Sequence, residues 1–184
     1  GMLYSCIPAY RLPKEVLTKE IEAILDENIT LECNRTLGKD FTVNSLFEDG
    51  FKAVFIAVGA QKGRRLQLEG ENARGVFPSI EFLKEHNQFG KQHARGRVGV
   101  IGGGNSAVDA ARTALRQEGV TEVTLLYRRT REEMPAFEEE IEAAVQEGIK
   151  LETLVTPIKV RTEKDQLKAV EFLRNRLGPM DSSG

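Results

Sequence analysis

Six consecutive residues carry the densest chemical signal in the chain: Gly102-Gly103-Gly104-Asn105-Ser106-Ala107. They follow the apolar stretch Arg97 to Ile101 and open an alanine-rich segment, the strand–turn–helix setting of a dinucleotide-binding loop with Ala in its third position. In such a loop Gly102 permits the tight turn and Gly104 lets a pyrophosphate approach the backbone. Ala107 allows the helix to pack closely on the strand. The phosphates would sit on free amides at the helix N-terminus. The bland alternative is a tight βα turn with no ligand.

A second signal stands where the next strand ends, in Tyr127-Arg128-Arg129-Thr130-Arg131. An NAD-specific protein usually places a carboxylate there to accept the ribose hydroxyls, whereas arginines suit a 2′-phosphate. NADPH is therefore expected over NADH. The alternative is a solvated charged face in which these arginines pair with Glu132, Glu133 and Glu138 to Glu140. Strand alternation keeps Arg128 and Arg129 from sharing one orientation, and which of them holds the phosphate stays open. Asp109 falls about one turn into the helix, where a carboxylate can simply favour the macrodipole. Ser106 lacks a neighbouring base, so an N-cap or phosphate contact suits it better than nucleophilic chemistry. His86 and His93 read as surface residues, and Tyr4, Tyr10, Arg11 and the cysteines suggest no catalytic geometry.

The elements that must position these groups follow from apolar periodicity. Leu17, Ile21, Ile24 and Leu25 predict an amphipathic helix between Pro13 and Asp26. Short strands are expected at Ile29 to Cys33 and Phe41 to Val43, with a helical turn from Asn44 to Asp49. The run Ala53 to Val58, ended by Gly59, suits a buried parallel strand. A polar connector with a short helix at Ser79 to Glu85 leads to a second buried strand, Arg97 to Ile101. A helix from Asn105 to Gln117, a strand from Val123 to Tyr127, a helix beginning at Pro135 and ending at Gly148, and a strand from Ile149 to Leu154 complete a βαβαβ pattern with a parallel sheet. Ile158 to Leu177 reads as a β-hairpin turning at Lys164 and Asp165. The fold class is α/β, a Rossmann-like nucleotide-binding domain with a hairpin addition.

Composition narrows the partners. The 184 residues carry a formal charge of −2, too balanced for a nucleic-acid groove or a polybasic membrane anchor. No apolar run approaches the roughly 18 residues of a membrane span. Cys6 and Cys33 form no CxxC pair and share no ligand spacing with the histidines, so no metal site is expected; two cysteines fit a cytoplasmic protein.

The stretch from Gly102 to Arg112, together with Tyr127-Arg128-Arg129-Thr130-Arg131-Glu132-Glu133-Met134-Pro135-Ala136, resembles the small (beta) subunit of NADPH-dependent glutamate synthase and its flavoprotein relatives. Ile7-Pro8-Ala9-Tyr10-Arg11-Leu12-Pro13 and Ala57-Val58-Gly59-Ala60 extend the resemblance over nearly the whole chain. Related proteins include the amino-terminal region of dihydropyrimidine dehydrogenase and the large subunit of NADH-dependent ferredoxin:NADP oxidoreductase. The resemblance implies an internal piece of an FAD-dependent oxidoreductase. Residues 1–60 would be part of an FAD-domain segment, 61–91 a connector and 92–184 the NADPH-binding domain. It implies hydride transfer from NADPH to FAD and onward passage of electrons to iron–sulfur clusters outside this chain. The partner would be the glutamate synthase large subunit or an equivalent acceptor, and the isolated piece would be inactive. Gly102, Gly103, Gly104, Asn105, Ser106 and Ala107 would serve the pyrophosphate, and Arg128 and Arg129, with Arg131 less directly, the 2′-phosphate. Asp109 would lie toward the nicotinamide end, and Gly59 and Ala60 are counted among the cofactor-binding residues. The rival from another class is a stand-alone NADPH-binding sensor or assembly module without redox turnover.

Overall fold

The computed structural model describes residues 1–60, 62–63 and 65–178. Six helices and five strands occur among them: α1 (Met2–Ser5), α2 (Lys14–Ile24), α3 (Val43–Glu48), α4 (Ser79–Phe89), β1 (Gly96–Ile101), α5 (Asn105–Leu115), β2 (Val120–Leu126), α6 (Glu138–Gln146), β3 (Lys150–Glu152), β4 (Val155–Glu163) and β5 (Gln166–Arg174). A single 3₁₀ turn covers Arg131–Glu133. Among the described residues no helix is long and apolar enough to cross a membrane.

The parallel sheet runs in the order β1-β2-β3, as the alternation of strands and helices predicts. Its partner layer is α5, in which every residue from Ala107 to Ala114 is buried. Alanines make this possible, because a helix without bulk can be covered on several sides at once: β1 and β2 on one, α4 and α6 on others. Val108, Ala111, Val123, Leu125, Ile141 and Leu83 form the centre of the core. β2 alternates between buried and half-buried positions, whereas β1 edges the sheet and is covered on one face only, so the fully buried strand expected at Arg97 to Ile101 is half-buried.

The hairpin is present, with β4 and β5 antiparallel. Lys164 and Asp165 both take positive φ, 48° and 64°, as the tightest hairpin turns require.

Three expectations fail. Ile29 to Cys33 forms no strand, Phe41 makes only an isolated bridge to Leu37, and Val43 begins α3. Ala53 to Val58 joins neither sheet among the described residues, and Phe55 is 92% exposed. Apolar residues in a row signal a demand for burial, but a strand exists only where a neighbouring strand takes its backbone groups. The face of α2 is likewise largely uncovered: Leu17 is buried while Ile21 and Ile24 are exposed. The second helix of the nucleotide-binding unit, α6, starts at Glu138 rather than at Pro135.

The connector is strapped down. Phe82 and Leu83 anchor α4 in the core, and the Glu71 carboxylate accepts from the amides of Leu66, Gln67 and Leu68. Val160 donates its amide to Glu69 O at 3.0 Å, and Arg74 exchanges backbone hydrogen bonds with the hairpin at Asp165 and Leu167. His86 and His93 are half-buried rather than on the surface; His93 packs on Phe77 with ring centroids 4.6 Å apart and pairs with Glu85.

Candidate functional site

The glycine loop lies between β1 and α5 as the sequence implies. Gly102 donates to Leu126 O at 3.0 Å and sits at φ +144°, and a Cβ there would stand 3.1 Å from that of Ala107. The glycine and the alanine thus share one constraint, the close approach of helix to strand. A Cβ on Gly103 would lie 2.6 Å from the Tyr127 ring, whereas one on Gly104 would meet nothing nearer than Pro135 Cγ at 3.9 Å. The loop is tight behind and open in front.

Its donors are unspent. The amides of Ala107 and Val108 already bond to Gly104 O, but those of Gly103, Gly104, Asn105 and Ser106 find no acceptor among the described residues. Four N–H groups without an acceptor around a helix N-terminus, beside the open space that a Cβ on Gly104 would find, fit a diphosphate. Ser106 is not the N-cap: Gly104 occupies that place, and Ser106 is exposed within the first turn.

Met134-Pro135-Ala136 gains a physical role here. Ala136 donates its amide to Gly103 O at 3.0 Å, and Phe137 donates to Asn105 Oδ1 at 3.1 Å. Met134 and Ala136 are buried, so the segment walls the loop and commits the Asn105 side chain to structure, leaving its backbone amide free. The Tyr127 hydroxyl closes this wall by donating to Glu133 O at 2.8 Å.

The three arginines after β2 are not equivalent. Arg131 pairs with Glu138, and Arg129 is held loosely to Glu133 at 3.8 Å. Arg128 makes no ion pair among the described residues and is exposed. The charged-face alternative therefore accounts for Arg131, partly for Arg129, and not for Arg128.

Asp109 is 5% exposed and is no cap. Arg11 Nη1 donates to both its oxygens, at 3.0 and 2.9 Å, from 98 residues away. Burial raises the Asp109 carboxyl above its ordinary range, and the Arg11 guanidinium opposes that rise. Arg11 also reaches Glu140 with Nε at 3.1 Å. Arg112 continues the chain of charges to Glu140 and Glu147, and Arg116 adds a second fork to Glu147. Tyr10 lies under both guanidiniums, 4.4 and 4.7 Å from its ring centroid. This network ties the N-terminal segment to α5 and α6. Sequence reading missed Arg11; the available hint was Asp109, Arg112 and Arg116 on one stripe of an otherwise apolar helix, charges that needed partners.

Two predictions follow from this network. Removing one partner of a buried pair typically costs about 3–5 kcal/mol, and because the Arg11 side chain keeps 22% of its surface, Arg11→Ala is expected to cost about 2–3 kcal/mol in urea unfolding. Hydrogen bonds from Arg116 and Arg112 hold the Glu147 carboxyl down at about 2. A depressed carboxylate stabilises above its ordinary pKa and loses that contribution as pH falls through the folded value. Glu147→Gln should accordingly lower Tm at neutral pH, and the gap to wild type should close as the pH is lowered to about 2.

Asn105, Ser106, Asp109, Arg11, Cys6 and Ile7 help line a cleft of about 650 Å³ between the N-terminal segment and α5. Gly59 and Ala60 are exposed and make no hydrogen bond to the glycine loop among the described residues. No group of three or more metal-ligating side chains occurs among the described residues.

The geometry has counterparts in known proteins. Residues 6–176 match the profile of the pyridine nucleotide-disulphide oxidoreductases. The chain is 42% identical over its whole length to the NADP(+)-dependent formate dehydrogenase subunit beta of Moorella thermoacetica, of which it covers 26%. It is 34% identical, again throughout, to the glutamate synthase [NADPH] small chain of Escherichia coli K12, covering 41% of that protein. The chain therefore spans less than half the length of these relatives. Among solved structures, FprA of Mycobacterium tuberculosis superposes with a TM-score of 0.84 over the whole chain and 56% of its own, at 20% identity, a likeness of fold.

Proposed function

The chain belongs to the pyridine nucleotide-disulphide oxidoreductase family, and from that premise we propose that it is the NADPH-binding portion of an FAD-dependent oxidoreductase of the glutamate synthase beta-subunit type. One observation carries the reading: among the described residues, four amides at the start of α5 without an acceptor stand with an exposed Arg128 that has no ion pair, just past the end of the adjacent strand β2. The amides bind the diphosphate, and Arg128 pairs with the 2′-phosphate that distinguishes NADPH from NADH. Arg129 is the second ligand; Arg131, held by Glu138, contributes field rather than contact. Gly102, Gly103, Gly104 and Ala107 shape the cradle, and the Met134 to Ala136 segment excludes water from its side. Asp109, kept in place by Arg11, stands one helical turn further along α5 at the cleft.

NADPH would supply a hydride when bound, with FAD of the intact protein as its acceptor. Among the described residues no second glycine loop opens a helix. Residues 1–60 form part of the flavin-domain segment, 61–91 the connector and 92–184 the nicotinamide-nucleotide unit. Electrons would then pass to iron–sulfur centres on a partner subunit or domain, the glutamate synthase large subunit or its equivalent, in the cytoplasm. The names of the two relatives, both NADP-linked, support this reading. Anaerobic mixing of the flavin-loaded full-length gene product with each nucleotide tests it. Bleaching of the flavin by NADPH in preference to NADH is expected; a flavin that NADPH leaves oxidised would overturn the redox role and favour a nucleotide sensor.

A further inference from the structure

The reading of the arginine arm above has a structural consequence at the far end of the chain. We propose that Asn175, just beyond the hairpin, is a positioning residue for 2′-phosphate recognition, acting through the main chain of Arg128. This inference rests on the assignment of that phosphate to Arg128.

Three successive carbonyls of the arm are held by the root of the hairpin. Val155 donates its amide to Tyr127 O at 3.0 Å, and Leu154 donates to Arg129 O at 3.1 Å. The carbonyl between them, of Arg128, accepts instead from the Asn175 side chain, whose Nδ2 lies 3.0 Å away across 47 residues of sequence. Backbone donors serve the outer two positions, and a side chain that a single substitution can delete serves the middle one.

Asn175 is itself well fixed. Its second amide proton reaches Thr156 Oγ1 at 2.9 Å, and its backbone N–H reaches Leu154 O at 2.7 Å. A carbonyl oxygen can only accept, so the amide must turn its NH₂ toward Arg128, which settles its orientation. Leu154 adopts a left-handed conformation, φ +57°, between its bonds to Arg129 and Asn175. Arg174 adds an ion pair to Glu152 at 3.1 Å beside the same root.

The consequence is one of pre-organisation. Among the described residues the Arg128 guanidinium has no ion-pair partner, so the main chain beneath it is the part of the arm that the fold holds in place. Fixing that backbone in advance lowers the ordering cost of binding a phosphate there. A nucleotide lacking the 2′-phosphate makes no use of the arm and is indifferent to how it is held. The hairpin thereby takes part in cofactor selection although it lies outside the nucleotide-binding sheet.

The test is calorimetric titration of the full-length gene product with NADPH, NADH and adenosine 2′,5′-bisphosphate. Asn175→Ala is compared with wild type and with Thr156→Val, which removes the other partner of the amide and leaves the Arg128 bond intact. Loss of one net hydrogen bond corresponds to about fivefold, so Asn175→Ala should weaken NADPH and adenosine 2′,5′-bisphosphate by about that factor while NADH holds. Thr156→Val should leave all three unchanged. Equal losses for NADPH and NADH in Asn175→Ala would overturn the inference by reducing the hairpin to general support of the fold, and so would the absence of any loss. A wild-type protein indifferent to the 2′-phosphate overturns the arginine assignment itself, and that outcome is visible before any variant is compared.

Discussion

Replacing Arg128 with Ala is expected to weaken NADPH binding by roughly ten- to a hundredfold and to leave NADH binding unchanged. The estimate is that of one or two charged hydrogen bonds, each worth about 1.5–3 kcal/mol, to a dianionic phosphate. It applies to Arg128 because its guanidinium is exposed and, among the described residues, carries no competing ion pair. Arg129 has Glu133 at 3.8 Å, a distance at which an exposed pair contributes little, so Arg129→Ala should follow with a smaller effect. Arg131→Ala breaks an exposed pair with Glu138 and should change nucleotide preference least. The order of the three variants is as diagnostic as the size of the first, and parallel titrations with both nucleotides read it directly.

Replacing Gly70 with Ala is expected to destabilise the protein by about 3 kcal/mol, through conformation and clash together. Gly70 sits at φ +83°, and a Cβ there would lie 2.4 Å from Val160 O. No rotamer relieves a contact between Cβ and a backbone oxygen, so the connector must part from the hairpin. That movement breaks the hydrogen bond from Val160 N to Glu69 O and strains the Lys159–Glu69 ion pair at 2.6 Å. Urea unfolding should show a lowered midpoint. Because the hairpin root also holds the arginine arm, the variant should lose part of its preference for NADPH under conditions where it remains folded.

The nucleotide-binding unit was legible in the sequence because its signals are local. The strand, glycine loop and alanine helix occupy adjacent residues, and Gly102 and Gly103 each answer a constraint within a few ångströms. The hairpin turn was legible for the same reason. The run from Ala53 to Val58 was misread since its composition states a need for burial but not the identity of the neighbour that would meet it. Arg11 and Asn175 escaped because their partners lie 98 and 47 residues away, and neither residue type at its position carries a periodic signal. The three arginines could be recognised as a phosphate-reading arm from their place after a strand. Their ranking needed the structure, since only the fold brings Glu138 to Arg131 and, among the described residues, pairs no carboxylate with Arg128.

Asp109 illustrates a related limit. A carboxylate near a helix N-terminus has a ready explanation in the macrodipole, but its burial makes that explanation insufficient, and the guanidinium that compensates it comes from 98 residues earlier in the chain. Arg11 thereby couples the N-terminal segment to the helix that presents the phosphate cradle.

The central claim is that the loop at Gly102 to Ala107 and the arm at Arg128 together form an NADPH site. Calorimetric titration of the wild-type protein with NADPH and with NADH, at low and at moderate salt, tests it most directly. The account predicts NADPH binding at least about tenfold tighter, with a preference that narrows as salt screens the exposed arginine. Equal affinity for the two nucleotides, or failure of both to bind, would contradict it.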